Sequence, residues 1–413
     1  MTGAMRVATI SHGHPALSPG GAEIAALTLH TALAELDGVE ALHLAAAPPT
    51  HPGIGGELFA TGRLDGLTLL QREPGQLDHL LTQLTAFQPQ VIHLHHILGI
   101  GADALFGLRQ RFPDATILLT LHEFIAICHN RGQMMKTDGT ACERSSASDC
   151  ASCFPEITAA RFLRRERALR AMLSLLDGFI APSAFLAQRY VEWGVPASRI
   201  ITIENAVPLP APVQTRRDSR PGKRGRFAFF GQMTPFKGID VLLEAVASLS
   251  DADWQGSTLD IHGAHLELQP ADFQNKIAAL IDRAGARVTL HGAYDSVTLP
   301  ALMRRADWVV VPSIWWENSP LVIQEAFSQG LPVIASAIGG MAEKVAHGRN
   351  GLTFTAGDSA ALAETLMRAA DPSLWASMRA GVVPPTDAAT IAHWHRRLYQ
   401  SLLQGRMAPA QAV

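Results

Sequence analysis

Short apolar runs alternate with longer stretches of helical periodicity along almost the whole chain. A first series comprises Met5–Ile10, Leu42–Ala46, Val91–Leu94, Ile117–Leu121, Phe179–Pro182 and Ile200–Ile203. A second comprises Phe227–Phe230, Leu259–His262, Val288–His291, Trp308–Val311 and Pro332–Ala335. Most of these runs are not polar at every other position, which is the pattern of parallel strands covered on both faces. Strand–helix alternation of this kind predicts the α/β class. Between the two series, Ala206–Arg226 is rich in proline and charge and has no apolar period, so it reads as a linker. Two doubly wound domains are expected on either side, at residues 1–207 and 227–385, with the linker at 208–226. After Pro384-Pro385, Thr386–Leu403 carries Trp394, Leu398 and Leu402 at helical spacing, and Met407–Val413 is expected to fray.

Composition narrows the function classes. A chain of 413 residues with 47% apolar content has room for two cores. A net charge of −3, from 34 basic and 37 acidic residues, supplies no global attraction to nucleic acid. No apolar run reaches about 18 residues, so no spanning helix is expected. The N-terminus enters a strand without a cleavable signal pattern. The four cysteines then point to a reducing compartment, and the cytoplasm is the expected location.

Candidate chemistry is densest between Trp315 and Glu343, W-W-E-N-S-P-L-V-I-Q-E-A-F-S-Q-G-L-P-V-I-A-S-A-I-G-G-M-A-E. Pro320 suits a helix start, and the helical pattern runs from Leu321 to near Gly330, followed by the apolar run Leu331–Ala335 and Gly339-Gly340. Free N–H groups at that helix start, with the glycine loop, predict an anion site of diphosphate size. Glu317, in the loop, and Glu325, about one turn inside the helix, would repel a phosphate and suit the hydroxyls of a sugar or ribose. The plainer alternative is that both glutamates only complement the helix dipole. Phe227–Val246 reads as strand, loop and amphipathic helix, with Lys237 just before Gly238. A lysine at that point is a natural phosphate counter-ion, or else a solvated loop side chain. In the first domain Gly20-Gly21-Ala22-Glu23 opens a helix, where a backbone can approach an anion closely. Ile117–Glu123 ends a strand at His122. Alternation puts His93 and His95 on one face; a cleft or packing role for them and His96 is preferred to metal binding, since no carboxylate lies in that run.

The string from Trp315 to Glu343 resembles the E-x7-E signature of retaining glycosyltransferases of family four, which have the GT-B fold. The resemblance implies two Rossmann-like domains facing across a cleft, with the last segment, 386–413, crossing back onto the first. Gly231, Lys237 and Gly238 match the family's G-R-L-x(3)-K-G element, while Gln232 stands where an arginine is expected and so lacks one positive charge. Carried over, Lys237 holds the donor diphosphate together with the Leu321 and Val322 backbone N–H groups, Glu325 binds the ribose and Glu317 faces the transferred sugar. Gly20 and Gly21 resemble the glycine loop that contacts the donor from the first domain. His122 matches the T-x-H-[DE] histidine that touches the sugar. Glu343 is assigned to fixing its own loop, and Trp315 and Trp316 to packing or to the sugar pocket. The implied reaction moves a sugar, with retention, from a nucleoside-diphosphate donor to a hydroxyl of a glycan, glycolipid or small molecule, in polysaccharide or glycoconjugate biosynthesis. His122, Glu317 and Lys237 are the catalytic candidates, and no catalytic metal is expected. A non-catalytic nucleotide-sugar binding scaffold, or a sugar-nucleotide epimerase of similar fold, remains the alternative.

All four cysteines, Cys128, Cys142, Cys150 and Cys153, fall in one segment that ends in a CxxC. Four thiolates suit a tetrahedral structural zinc; free thiols, or an iron–sulfur or redox role, are the other readings. Similar cysteine-bearing insertions occur in one branch of the family. Next in the chain, Arg161, Arg164, Arg165, Arg167 and Arg170 share a helical stretch with Phe162, Leu163, Leu169 and Leu173. Such a helix suits peripheral contact with an anionic membrane surface and a lipid-linked acceptor, or is simply a solvated basic face.

Overall fold

A computed structural model of the chain describes residues 3–17, 20–51, 53, 56–72, 77–208 and 222–405. Most of the expected linker, 209–221, and the tail 407–413 lie outside the described residues. The chain divides into two compact units, Met1–Pro208 with Thr386–Val413, and Leu209–Pro385.

The first unit runs β1 (Met5–Ser11), α1 (Gly21–Ala34), β2 (Val39–Ala47), β3 (Leu58–Ala60), α2 (Asp78–Phe87), β4 (Val91–Leu94), α3 (Ala104–Arg111), β5 (Thr116–Thr120), α4 (Ala147–Cys153), α5 (Ala159–Leu173), β6 (Gly178–Ala181), α6 (Ala184–Trp193) and β7 (Ile200–Thr202). Its seven strands are all parallel in the order β3-β2-β1-β4-β5-β6-β7. Strand order reverses between β1 and β4. The second unit runs β8 (Arg226–Gln232), α7 (Ile239–Ser248), α8 (Asp251–Trp254), β9 (Thr258–Ala264), α9 (Ala271–Ala284), β10 (Val288–Gly292), α10 (Leu299–Met303), β11 (Trp308–Val311), α11 (Leu321–Ser328), β12 (Val333–Ser336), α12 (Gly339–Lys344), β13 (Gly351–Phe354), α13 (Ser359–Ala369) and α14 (Pro372–Ala380). Its six strands are parallel in the order β10-β9-β8-β11-β12-β13, reversing between β8 and β11.

Central strands behave as their sequences demand. β4, β6, β11 and β12 are buried at every position. Each fully buried Val, Leu or Ile contributes about 1.5–3 kcal/mol. Two strands were not among the expected runs. β3 and β13 lie at sheet edges and have only three and four residues, and Gly351 and Thr353 break the apolar run of β13. Edge strand β10 departs from the expectation of coverage on both faces, since four of its five residues are exposed.

The final helix, α15 (Ala388–Leu403), is capped by Asp387, whose side chain accepts from Thr390 N at 2.7 Å. It belongs to the first unit. Its Ile391, Leu398 and Tyr399 pack with Val7, Leu29, Leu33, Val91 and Leu118. Tyr399 is fully buried, and its hydroxyl meets His93 Nδ1 at 2.7 Å.

Candidate active site

In a doubly wound sheet, ligands sit beyond the carboxyl ends of the strands where strand order reverses. In the second unit that point lies after β8 and β11. The loop after β8 closes in a short turn, Pro235–Lys237, and Gly238 follows with φ 66°, a left-handed conformation that favours glycine. A Cβ at Gly238 would collide with the Pro312 carbonyl oxygen at the end of β11. Ile314 N–H donates to Phe236 O at 2.9 Å, tying the two loops together. This close approach brings Lys237 Nζ to 2.5 Å from Glu317 Oε1. The same oxygen accepts from Ser313 Oγ at 2.9 Å and Trp315 Nε1 at 3.0 Å. Glu317 is 6% exposed, and its Oε2 takes no hydrogen bond from the described residues. Only one of the three ammonium protons of Lys237 is used in this contact.

The backbone of Glu317 is held as firmly as its side chain. Gly340 N–H donates to Glu317 O at 2.6 Å, and a Cβ at Gly340 would strike the Asn318 carbonyl oxygen. The Gly339–Gly340 pair therefore supports the Glu317 loop, and the Gly340 N–H expected for an anion is already engaged. The start of α11 differs: Pro320 provides no side-chain cap, which leaves the N–H groups of Leu321 and Val322 without one. Glu325 lies half-buried on α11, and burial pushes its carboxyl up to about 7. Gly231 and Gln232 end β8, with the Gln232 side chain exposed. Trp315 binds Glu317 and lies 6.0 Å below Lys237 Nζ. Glu343 is exposed on α12.

In the first unit His122 lies just beyond β5, with Nε2 3.1 Å from His95 Nδ1. Burial, and the imidazoles of His96 and His12, hold His122 well below the ordinary histidine range, so it is neutral at pH 7. His96 Nε2 lies 2.9 Å from Glu123 Oε1. Burial lowers His96 to about 4 and pushes Glu123 well above the carboxylate range, so both directions describe a neutral hydrogen bond rather than an ion pair. His93 is fully engaged, with Tyr399 OH and Thr120 Oγ1 each at 2.7 Å, which makes it a packing residue. His95 and Glu123 carry the wider arrangement around His122. The H-x-H alternation could have flagged His95; nothing local marks the contact of His12 with His96, whose rings lie 4.4 Å apart because β1 and β4 are neighbours.

Gly20 caps α1 without a side-chain hydrogen bond. The Glu23 carboxylate occupies the space a Gly20 Cβ would take, and Glu23 Oε1 lies 3.2 Å from His12 Nε2. Gly13 and Gly20 thus flank a buried carboxylate of the chain itself, beside the turn where the sequence suggested an open anion site.

Cys128 is buried, and Cys142, Cys150 and Cys153 are half-buried free thiols. Two of the four stand one turn apart on a helix, α4, rather than in an irregular loop. Burial, then Cys128 and Cys142 nearby, push the Cys150 thiol up to about 11. The thiols share one neighbourhood, yet no three of them lie within 4.8 Å of one another, so they do not form a ready tetrahedral set. The basic helix α5 is also not a single charged face. Arg165 is 4% exposed and donates to the carbonyls of Leu67, Ala126 and Ile125, holding the segment after His122 in place. Arg170 pairs with Glu166 at 2.8 Å and lies over Trp193. Only Arg161, Arg164 and Arg167, beside an exposed Leu163, face outward without such contacts. No helix among the described residues is long and apolar enough to cross a membrane.

A pair of reversed-order parallel sheets, with a lysine–glutamate pair beyond the second, defines the class, and comparison with known proteins agrees. The description Glycosyltransferase Family 4 matches residues 19–209, and Glycosyl transferases group 1 matches residues 224–371. The D-inositol 3-phosphate glycosyltransferase of Salinispora arenicola is 28% identical over 95% of this chain and 87% of its own. That of Corynebacterium efficiens is 36% identical, but the match spans 34% of this chain and only 33% of that protein. Among solved structures, Anabaena HepE in complex with UDP superposes with a TM-score of 0.68 at 20% identity, covering 96% of this chain and 100% of its own. The chain belongs to family 4 of the glycosyltransferases and has their GT-B fold.

Proposed function

We propose that this protein transfers a sugar, with retention of configuration, from a nucleoside-diphosphate donor to an acceptor hydroxyl. The observation that carries the reading is the Lys237–Glu317 pair beyond β8 and β11. An ammonium with two unused protons suits a diphosphate, and a carboxylate with one unused oxygen suits a sugar hydroxyl. Breaking the bond between the anomeric carbon and the diphosphate oxygen leaves negative charge on the leaving group. Lys237 and the Leu321 and Val322 N–H groups stabilise that charge. The acceptor oxygen bonds to the anomeric carbon on the same face, and its proton passes to the departing diphosphate. Glu325 accepts from the ribose hydroxyls, Gly231, Gln232 and Gly238 shape the phosphate loop, and His122, neutral and fixed by His95, hydrogen-bonds the transferred sugar.

The donor is a uridine nucleotide by analogy with HepE, which has been solved with UDP and with UDP-glucose. The acceptor is a glycan, a glycolipid or a small polyol; a lipid-linked one would meet Arg161, Arg164 and Arg167 at the membrane surface. A structural zinc on Cys128, Cys142, Cys150 and Cys153 requires the thiols to close together, and no step of transfer runs through it. Calorimetric titration with UDP, GDP and ADP tests the donor site. One nucleotide is expected to bind, and Lys237→Ala to weaken it; equal binding by parent and variant, or none by either, removes the donor reading.

A further inference from the structure

Apart from the transfer site, the first unit gathers a second set of ligand atoms. His14 follows β1, His43 lies in β2 and Glu57 precedes β3. One ligand atom from each lies within 4.8 Å of the others, and among the described residues this is the only group of three or more His, Cys, Asp or Glu that does so. The hydrogen bonds around His43 assign its tautomer. Ser11 Oγ donates its single proton to Gly13 O at 2.8 Å. Toward His43 Nε2, at 3.1 Å, Ser11 can therefore only accept, so Nε2 carries the imidazole proton. The lone pair is left on Nδ1, which is buried without a partner in a side chain 2% exposed. An unsatisfied buried acceptor is unfavourable and calls for a ligand. A metal-binding imidazole donates its other ring N–H to an outer oxygen that fixes the tautomer, and Ser11 Oγ occupies that place here.

We propose that His43 Nδ1, His14 and Glu57 bind a divalent transition-metal ion of the zinc type. Two imidazole nitrogens and a carboxylate oxygen are the ligand types this class of ion takes, with a further position left for water. Burial grades from His43, buried, through His14, half-buried, to Glu57, exposed, which opens the site to solvent on one side. His30 stacks on His43 with ring centroids 5.3 Å apart. One contact must give way if His14 binds through Nε2: Ala16 N–H donates to His14 Nδ1 at 3.2 Å, and the tautomer with Nδ1–H releases it. The ion would clasp the segment between β1 and the Gly20–Gly21 turn to β2 and to the segment before β3. It is thus a structural clasp within the first unit.

Untagged protein, dialysed against chelator and then loaded with Zn2+, is assayed for bound metal per chain. Glu57→Gln and His14→Asn, both at positions that are not fully buried, are each expected to lose one equivalent relative to the parent. Ser11→Ala keeps the ligands and is expected to weaken binding on the order of 10–100-fold. Loading with Co2+ separates this site from the cysteines: the lost equivalent is expected to lack the thiolate charge-transfer band. A stoichiometry identical in parent, Glu57→Gln and His14→Asn overturns the proposal, as does a parent that retains no metal. So does a lost equivalent that carries the thiolate band.

Discussion

Lys237 Nζ and Glu317 Oε1 lie 2.5 Å apart although 80 residues separate them in the chain. Their meeting depends on β8 and β11 being neighbours in the sheet and on Gly238 resting against the Pro312 carbonyl. The two residues should therefore separate by function when each is changed. Lys237→Ala removes the phosphate counter-charge and is expected to weaken nucleotide binding about 10- to 100-fold, the range of a charged hydrogen bond. Glu317→Gln keeps the shape and is expected to bind nucleotide nearly as the parent while kcat falls about 100-fold. Calorimetry and transfer assays on the same preparations check both.

Glu325 supplies a pH dependence. Its folded-state pKa is raised from 4.5 to about 7 by burial. Between these values the folded state holds a proton that the unfolded state has lost, so this group's stabilisation is full below 4.5 and fades as pH rises through 7. Binding has the opposite sign, because ribose hydroxyls need the ionised acceptor. Donor affinity is expected to rise from pH 6 to pH 8, and Glu325→Gln to flatten both trends. Denaturant melts and nucleotide titrations over that range measure them.

Two glycines hold the loops that carry this site. Gly340→Ala drives a Cβ into the Asn318 carbonyl, and Gly238→Ala combines a similar collision with φ 66°. Each is expected to destabilise by about 1–3 kcal/mol, the usual range for overpacking. Nucleotide affinity should fall further for Gly238→Ala, which displaces Lys237 directly. Urea unfolding followed by titration distinguishes the two effects.

Tyr399 anchors the last helix to the first sheet through His93 Nδ1 at 2.7 Å. Tyr399→Phe retains the packing and leaves a buried imidazole nitrogen unpaired. A loss of about 1–3 kcal/mol is expected, read as a lower urea midpoint with an unchanged slope.

Much of the fold was legible in order along the chain. The buried strands β4 and β11 lie where the apolar runs put them, because a strand covered on both faces must be apolar at every position. Edge strands β3 and β13 escaped notice, because Leu58–Ala60 is a run of only three and Gly351–Phe354 is interrupted by Gly351 and Thr353. In the site, the string around Glu317 and Glu325 marked the second unit, and Lys237 was visible as a loop lysine. Arg165 was not distinguishable from its exposed neighbours, since its burial is set by the carbonyls of Leu67, Ala126 and Ile125. The contacts His12–Glu23 and His96–Glu123 were equally hidden.

The sequence by itself determined the α/β class, the positions of the central strands and the family to which the chain belongs. These are local properties, written in hydrophobic period and in motif spacing. Tertiary structure alone decided which charges meet: Lys237 with Glu317, Glu23 with the Gly20 turn, Arg165 with backbone carbonyls, and His14 with His43 and Glu57. The physical reason is sheet order. In a parallel sheet built by crossovers, neighbouring strands are separated by whole helices, so the partner of a side chain beyond a strand end depends on which strand lies beside it.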